Sequence, residues 1–456
     1  MSPATSLSPG AVAAVALGAA VLIGALVVLM RRCGQAFPLL AVLALPFRLP
    51  VSADGRTVNL LIPLYLVVAA GVLAHLLPRL LSGEERGPRG LEWLLLASVA
   101  LYAVQALYSA DLAKAAENVG FFYVPFALLF VLLRDVRWTP ELLLRCLGVA
   151  VALAVVFAGI GFVEYARKSL FLNPKVVAAN QYDNYFRVNS LFFDPNIYGR
   201  FLALVMIAVT TVVLWGRNLR AVLAAAAVLA WLLAGLVTSF SQSSIAALLL
   251  GLAVLAAYRW SVRRTLYAAV ALVALALLVV AVAPASLHFG LKGSGGSTSN
   301  ATSGRTKLIE GGLELFAKRP LQGYGSGSFQ KQYERHSKAS VENATSASHT
   351  IPITVAAEQG VVGLALYVAL LIVAFLVLFT GAGRSPPRPN GVRPAIAACF
   401  AALVLHTFTY ADFLEDPLTW TLLGIGVALA RQDDRWPAPA GVLGRSRTDR
   451  RSNVID

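Results

Sequence analysis

The segment AVAAVALGAAVLIGALVVLM, residues 11–30, is an uninterrupted run of small and apolar residues. A run of about 20 such residues is long enough to cross the hydrocarbon core of a bilayer as a helix. Arg31 and Arg32 follow it at once, and no basic residue precedes it. Since arginines collect on the cytoplasmic side of a membrane, this segment is predicted to be a retained span whose N-terminal end lies outside.

The composition of the whole chain extends this interpretation. Of the 456 residues, 58% are hydrophobic and 13% are charged, whereas soluble domains carry about 25% charged residues. The mean hydropathy is +0.72. We therefore predict an all-α polytopic membrane protein, surrounded by the lipid bilayer, with about 12 transmembrane helices (about 10–13) and one long helical periplasmic loop.

The apolar segments alternate with two kinds of polar connection. Predicted spans lie near residues 11–30, 35–50, 58–77, 91–108, 118–133, 142–164, 199–215, 221–237, 244–260, 265–283, 353–380, 394–410 and 418–430. Arginine-rich connections follow alternate spans, at residues 31–32, 79–89, 134–137, 217–220, 259–264 and 384–393 and in the tail from 431. The positive-inside rule puts these connections in the cytoplasm.

This alternation predicts four parts of the chain. Residues 1–283 form transmembrane helices with short loops and a periplasmic loop near 165–198. Residues 284–350 form a long periplasmic loop with an amphipathic helix, 351–430 form C-terminal transmembrane helices, and 431–456 form a disordered cytoplasmic tail.

Charge and cysteine usage exclude several classes of protein. The net charge of +15 is assigned to the cytoplasmic arginines, so no nucleic-acid partner is predicted. Cys33, Cys146 and Cys399 show no spacing typical of a disulfide framework or a metal site. The outer loops contain no His, Cys and Asp cluster with ligand spacing, so neither a metal nor a cofactor is expected.

The two long outer connections carry a surplus of cations, which opposes the usual distribution of charge. The cations expected to contact a substrate are Arg187, Arg200, Arg305, Lys307 and Arg319. Guanidinium groups bind phosphate oxygens in a bidentate manner and stay charged. These residues therefore predict binding of a phosphate or pyrophosphate at the outer surface; solvated surface charge is the alternative for each.

The segment RTKLIEGGLELFAKRP, residues 305–320, has apolar residues at helical spacing and a terminating Pro320. It predicts an amphipathic helix at the outer membrane–water interface with its apolar face down; a cap helix in water is the alternative. The following GYGSGSF, residues 323–329, lacks the strand–turn–helix context of a dinucleotide fingerprint. A turn is expected there instead.

Two residues mark the entrances to apolar spans. His349 stands where a polar loop meets the apolar run from Ile351, with Pro352 at the start of a helix. An imidazole at this place can accept a proton from a hydroxyl at neutral pH, and a structural cap is the alternative. Asp194, before Pro195, is predicted to cap a helix.

Three further groups predict a polar pocket at the outer ends of the bundle. They are Thr238, Ser239, Ser241, Gln242, Ser243 and Ser244; Glu358 and Gln359; and Tyr410, Asp412, Glu415 and Asp416. Ionisable residues are costly inside a membrane, so their presence favours a function. Gln242 and Glu358 are the members expected to contact a substrate.

Four segments together resemble the O-antigen ligase / O-antigen polymerase family of bacterial cell-envelope glycosyltransferases. They are YFRVNSLFFDPNIYGRFLAL (185–204), VTSFSQSSIAALLLGL (237–252), RTKLIEGGLELFAKRPLQGYGSGSFQKQY (305–333) and ASHTIPITVAAEQGVVGLALY (347–367). The sequence departs from the family pattern at Thr350, where asparagine usually follows the histidine, and at Gln242, where arginine is common.

The resemblance implies a GT-C-like enzyme at the periplasmic face of the bacterial inner membrane. It would move a glycan from undecaprenyl pyrophosphate to an acceptor hydroxyl, with inversion and without a metal. Arg187 and Arg305 would hold the pyrophosphate, and His349 would orient or deprotonate the acceptor. The lipid A core is a ligase's acceptor and a second lipid-linked glycan a polymerase's; both stay open. An exporter without chemistry is disfavoured by the nearly charge-free spans.

Overall fold

The computed structural model describes residues 9–53, 56–83, 87, 89–171, 186–267, 297–337, 350–380, 391–410 and 412–433. In chain order its elements are α1 (Pro9–Arg32), α2 (Ala36–Ala44), β1 (Leu49–Ala53), β2 (Arg56–Leu60), α3 (Ile62–Leu81), α4 (Gly90–Ala106), α5 (Leu112–Asp135), α6 (Pro140–Arg167), α7 (Pro195–Trp215), α8 (Leu219–Thr238), α9 (Gln242–Arg259), α10 (Ser297–Lys318), α11 (Phe329–Ser337), α12 (Ile351–Phe379), α13 (Val392–Thr407) and α14 (Pro417–Asp433).

Among the described residues, eight helices are long and apolar enough to cross a membrane, namely α1, α3, α5, α6, α7, α8, α9 and α12. The helices α4 and α13 are shorter and apolar. This confirms the prediction of an all-α polytopic membrane protein. The predicted span at 265–283 lies mostly outside the described residues, and the total of about 12 helices remains a prediction.

The segment after α2 differs from the sequence prediction. The helix predicted over 35–50 is only nine residues long, and β1 and β2 then pair antiparallel with Leu49 opposite Leu60. The sequence contains an Asp54-Gly55 dipeptide between the two strands. Such a dipeptide is a hairpin signal, but the apolar residues around it led to the interpretation as a span end and a short connection.

Helix α7 lies at the centre of the bundle and packs against α6, α8, α9 and α13. Its start is fixed by Asp194, whose side chain accepts a hydrogen bond of 2.6 Å from the backbone N–H of Asn196, with Pro195 in the first turn. This confirms the predicted cap. Tyr198 and Arg200 of this helix are fully buried, so polar groups enter the core at one end of the bundle.

Helix α10 covers the predicted amphipathic segment and ends at Lys318, before Pro320. Its apolar residues Leu308 and Leu315 are buried in a cluster with Phe329 and Tyr333 of α11 and Ala357 of α12. Part of the predicted apolar face is thus covered by protein, while Ile309 and Phe316 are half-buried. The position of this helix at a membrane surface stays a prediction.

Ion pairs gather the arginine-bearing helix ends on one side of the bundle. Arg79 of α3 and Asp135 of α5 approach to 3.1 Å. Arg134 of α5 lies 2.9 Å from Glu92 of α4, and Arg431 of α14 pairs with the same carboxylate. The ends predicted to be cytoplasmic therefore lie together, and the polar site described next lies at the opposite ends of α5, α12 and α14.

Candidate functional site

A cavity of about 250 Å³ lies between the ends of α5 and α12 that are opposite the arginine-bearing ends. Its lining comprises Arg48 and Asn59; Ser98 and Tyr102 of α4; Lys114, Glu117, Asn118, Phe122 and Tyr123 of α5; Gly327; nine residues of α12 from Ile351 to Leu370; and Asp412, Phe413, Leu414 and Glu415. The predicted polar residues Glu358, Gln359, Asp412 and Glu415 are among them. Sequence reasoning therefore placed part of this pocket correctly.

Lys114 brings a positive charge into the cavity. Asp111 caps α5 by accepting a 3.1 Å hydrogen bond from the backbone N–H of Lys114, which fixes this first turn. The Nζ atom of Lys114 lies 2.6 Å from Oε1 of Glu117, one turn further along the helix. The carboxyl groups of Glu415 and Asp412 also act on this ammonium group. The lysine is thus held by carboxylates on one side and faces the cavity on the other.

Arg48, from the segment between α2 and β1, is the second cation of the cavity lining. It also lines a small crevice beside Phe192, Ile197 and Asp416. An anion in the cavity would therefore meet two cations that come from distant parts of the sequence. The two cations are suited to contact a multivalent anion such as a pyrophosphate, but they share the lining with the carboxyl groups of Glu117, Glu358, Asp412 and Glu415, which oppose that attraction.

Glu358 fastens the loop of residues 320–329, called here the glycine loop, to α12. Its Oε2 accepts a 2.9 Å hydrogen bond from Gly327 N–H and its Oε1 a 3.0 Å bond from Phe329 N–H. Gly323, Gly325 and Gly327 all have positive φ, between 67° and 93°. The loop is the predicted turn, and Glu358 was predicted to contact substrate; here both of its oxygens hold backbone amides.

Asp412 and Glu415 form a hydrogen-bonded carboxyl pair on the cavity wall. Glu415 also accepts a 2.7 Å hydrogen bond from Nδ2 of Asn118, which donates in addition to the Tyr102 hydroxyl at 2.7 Å. Burial and the neighbouring charge of Asp412 raise the pKa of Glu415 above its ordinary value. Glu415 therefore holds its proton more readily than an exposed glutamate does.

Arg187 lies just before α7 and is half-buried. Its Nε donates to the carbonyl oxygen of Ser239 at 3.2 Å, and its Nη2 donates to Oδ1 of Asn196 at 3.4 Å. The Ser241 hydroxyl donates to the same Asn196 oxygen at 2.8 Å. The predicted serine-rich segment therefore supports this arginine through hydrogen bonds.

His406 of α13 belongs to the same hydrogen-bond network. Its Nε2 lies 3.3 Å from the hydroxyl oxygens of both Ser243 and Ser244. Ser244 and Ser241 hydroxyls are 2.8 Å apart. His406 is fully buried, so the network runs from the bundle interior to Arg187.

Tyr410 lies in the segment between α13 and the cavity-wall residue Asp412. Burial and the carboxylates of Asp194 and Asp412 raise the pKa of this phenol well above its ordinary value, while Arg200 and Arg48 act against them. Its ring is 5.7 Å from that of His406, centroid to centroid. Asp194 belongs to the Arg187 segment and Asp412 to the cavity wall, so one phenol is within electrostatic reach of both.

Arg200 is placed differently from the prediction that it contacts substrate. Its side chain is 1% exposed, and its Nη2 lies 3.1 Å from Oδ2 of Asp416. The two groups attract as charges but are not aligned for a hydrogen bond, and the guanidinium nitrogens have no hydrogen-bond partner among the described residues. This geometry favours a role inside the bundle.

The remaining predicted site residues either are exposed or have side chains outside the described part of the structure. Gln242 is exposed at the first residue of α9, and Lys307 is exposed on α10. Arg319 is exposed, with its guanidinium carbon 4.6 Å from the centre of the Tyr324 ring. Arg305 belongs to α10, whose described side chains begin at Lys307, and His349 lies outside the described residues.

Sequence reasoning missed Lys114, Glu117, Asn118 and Arg48. The signal was present in DLAKAAEN, residues 111–118, where ionisable groups stand at the entrance to an apolar run. Lys114 and Glu117 were assigned to a brief connection, and Arg48 and Asn118 to predicted spans, because their neighbours in the fold are far away in the sequence. In the described part of the chain, no group of three or more His, Cys, Asp or Glu side chains could hold a metal ion.

Comparison with known proteins supports the resemblance noted above. Residues 227–368 match the family model Wzy_C, described as O-antigen ligase. The match confirms the predicted O-antigen ligase family resemblance and supports a function of the O-antigen ligase and polymerase type in a general sense. It includes Gly327 and the α12 residues of the cavity wall except Leu370. No curated protein sequence matches the chain.

Proposed function

Because residues 227–368 match the O-antigen ligase family, we propose that the protein is an inverting, metal-independent glycosyltransferase of the GT-C-like kind. It moves a glycan from undecaprenyl pyrophosphate to a hydroxyl of the lipid A core. The reaction takes place at the periplasmic face of the bacterial inner membrane. A second lipid-linked glycan, the acceptor of a polymerase, is the alternative acceptor.

One observation carries this proposal: the cavity combines Lys114 and Arg48 at the helix ends opposite the arginine-bearing ends, which are predicted to be cytoplasmic. A leaving pyrophosphate gains negative charge as the bond to the sugar breaks, so cations fixed beside it stabilise the transition state more than the ground state. The partly enclosed surroundings strengthen that attraction.

The predicted catalytic residues fit this scheme as additional contacts. Arg187 is held in position by Ser239 and Asn196, so it is ordered before a donor binds. Ordering a side chain in advance lowers the entropy cost of binding. Arg305 adds a further contact to the pyrophosphate, and His349 orients or deprotonates the acceptor hydroxyl.

The test is a transfer assay in liposomes that contain the purified protein, an undecaprenyl-pyrophosphate glycan and either lipid A core or a second lipid-linked glycan. We expect product with the lipid A core. Lys114→Ala and Arg187→Ala should each lower the rate by about 10²–10³, as does loss of one group that stabilises developing negative charge. Arg220→Ala, which removes an exposed arginine near the start of α8, is the matched control.

The outcomes separate the alternatives. Product only with the second lipid-linked glycan would identify a polymerase. If the folded protein forms no product with either acceptor, the proposed function is wrong. If transfer occurs but Lys114→Ala and Arg220→Ala behave alike, the cavity is not the site of reaction.

A further inference from the structure

We infer that Asp412 accepts the proton of the acceptor hydroxyl, with Glu415 holding this carboxylate and Asn118 binding a neighbouring hydroxyl of the same acceptor. The inference rests on the proposed glycan transfer and deepens it. It assigns proton acceptance to a carboxylate of the cavity and leaves His349 the orienting role.

The contacts of the cavity carboxylates distinguish their roles. Four line the wall: Glu117, Glu358, Asp412 and Glu415. Glu117 is paired with Lys114 at 2.6 Å. Both oxygens of Glu358 hold amides of the glycine loop. Glu415 is tied to Asn118 at 2.7 Å. Asp412 lines the cavity beside Glu415, and a carboxylate, with about four lone-pair sites, keeps acceptor sites for a substrate there.

Asn118 supplies an independent sign that a ligand with hydroxyl groups fits here. Its side chain is 2% exposed and lines the cavity. Its Nδ2 donates to both Tyr102 and Glu415, but its Oδ1 has no hydrogen-bond partner among the described residues. A buried acceptor atom without a donor is unfavourable. Because Oδ1 is buried, a sugar hydroxyl would reach it only after the lining shifts, and it would then supply the missing donor next to the carboxyl pair.

The carboxyl pair is suited to accept a proton because two adjacent carboxylates do not ionise together. Burial and the neighbouring charge of Asp412 favour the protonated form of Glu415, which leaves the negative charge of the pair on one carboxylate. The positive charge of Lys114, which acts on both groups, stabilises that charge. One carboxylate therefore stays available as a base in a partly buried place.

The proposed step exchanges one bond at the anomeric carbon and transfers one proton. The acceptor oxygen forms a bond to the anomeric carbon of the donor sugar, and its proton passes to the Asp412 carboxylate. The bond between that carbon and the pyrophosphate oxygen breaks, and its electron pair leaves on the pyrophosphate. The new negative charge lies near Lys114 and Arg48, and no oxidant or other co-reactant is needed.

The decisive variant is Asp412→Asn in the liposome assay. Asp412 has φ of 78°, and asparagine accepts a left-handed backbone as readily as aspartate. The carboxylate is thus removed without strain. We expect kcat to fall by about 10²–10⁴, the usual contribution of a positioned base, with a much smaller change in the KM for the acceptor. Glu141→Gln, an exposed carboxylate at the first turn of α6, is the control.

The dependence of kcat on pH tests this assignment, because loss of a purely structural side chain would not change its shape. We expect the kcat of the parent to fall as pH is lowered, because a base must be free of its proton to act, and this limb to be absent from the residual activity of Asp412→Asn. The charged and titratable groups that face the pair are Arg48, Lys114, Glu117, Glu358, Tyr102, Tyr123 and Tyr410. A limb that persists unchanged in the variant would assign the base elsewhere.

Each result is informative about a different claim. If Asp412→Asn transfers at the parent rate while Lys114→Ala does not, the inference is wrong and the proposed function stands. If the parent itself forms no product, the proposed function fails first. Should Asp412→Asn not fold, Asp412→Gly removes the carboxyl group in a second way, since glycine adopts positive φ freely, and the same kcat loss is expected.

Discussion

Arg200 of α7 and Asp416, the residue before α14, form an ion pair in the core, with Nη2 and Oδ2 3.1 Å apart and neither side chain more than 2% exposed. Burial raises the pKa of Asp416, and the charges of Arg200 and Arg48 oppose that rise. The pair therefore joins the centre of the bundle to the cavity wall at 412–415.

Arg200→Met should strongly destabilise the protein, because it leaves the Asp416 carboxylate buried without its partner. Breaking a buried pair costs about 3–5 kcal/mol, whereas replacing both members by apolar residues is often neutral. We expect this loss in the free energy of unfolding, measured in mixed detergent micelles. The double variant Arg200→Met/Asp416→Leu should recover most of it; an equal loss in both variants would contradict the pairing.

Gly323→Ala should destabilise the glycine loop. Gly323 has φ of 67°, and an added Cβ would overlap the Glu358 carbonyl. Strain of this kind costs about 1–3 kcal/mol, visible as a lower thermal unfolding midpoint. Gly148→Ala is the matched control, since its Cβ would meet no atom within 4 Å and alanine favours a helix. Equal midpoints for the two variants would show that the loop can relax.

Ser241→Ala should affect both stability and donor binding. The Ser241 side chain caps α9 and donates to the Asn196 oxygen that also receives Arg187. Loss of a cap costs about 1 kcal/mol, and the KM for the donor should rise as Arg187 loses support. Thr238→Val removes a hydroxyl bonded within its own helix to Gly235, and it should leave this KM unchanged. A donor KM that rises equally in both variants would rule out the network.

The stability of the protein should depend on the protonation of Glu415. Its pKa in the folded protein is raised, chiefly by burial and then by Asp412, so the folded state binds the proton more tightly than the unfolded state does. Stability should therefore fall as pH rises from the ordinary Glu pKa of about 4.3 through the raised value. Glu415→Gln should flatten this slope of thermal midpoint against pH; an unchanged slope would point to another group.

The helices could be predicted from local sequence with ends accurate to a few residues in most cases. For α12, the prediction of 353–380 corresponds to Ile351–Phe379, because an apolar run and Pro352 both act locally. The predicted cap at Asp194 was confirmed for the same reason. The hairpin at 49–60 was missed, since short apolar strands and helical segments have similar compositions.

The site was harder to predict because its parts are distant in the chain. Glu358, Asp412 and Glu415 stood out as ionisable groups beside apolar spans, and they do line one cavity. Lys114 and Arg48 join them only through the packing of α5 and of the α2–β1 segment. Arg200 was expected to face a substrate, but the direction of a side chain around a helix depends on tertiary packing, and it points into the core.

The fastening of the glycine loop to Glu358 gives one wall of the cavity a fixed shape. Lifting that loop would strip two amide hydrogen bonds from a buried carboxylate, and each polar group left unsatisfied costs about 1–3 kcal/mol. Under the proposed function, a substrate would therefore meet this wall already formed, and any rearrangement on binding would fall on other parts of the cavity lining.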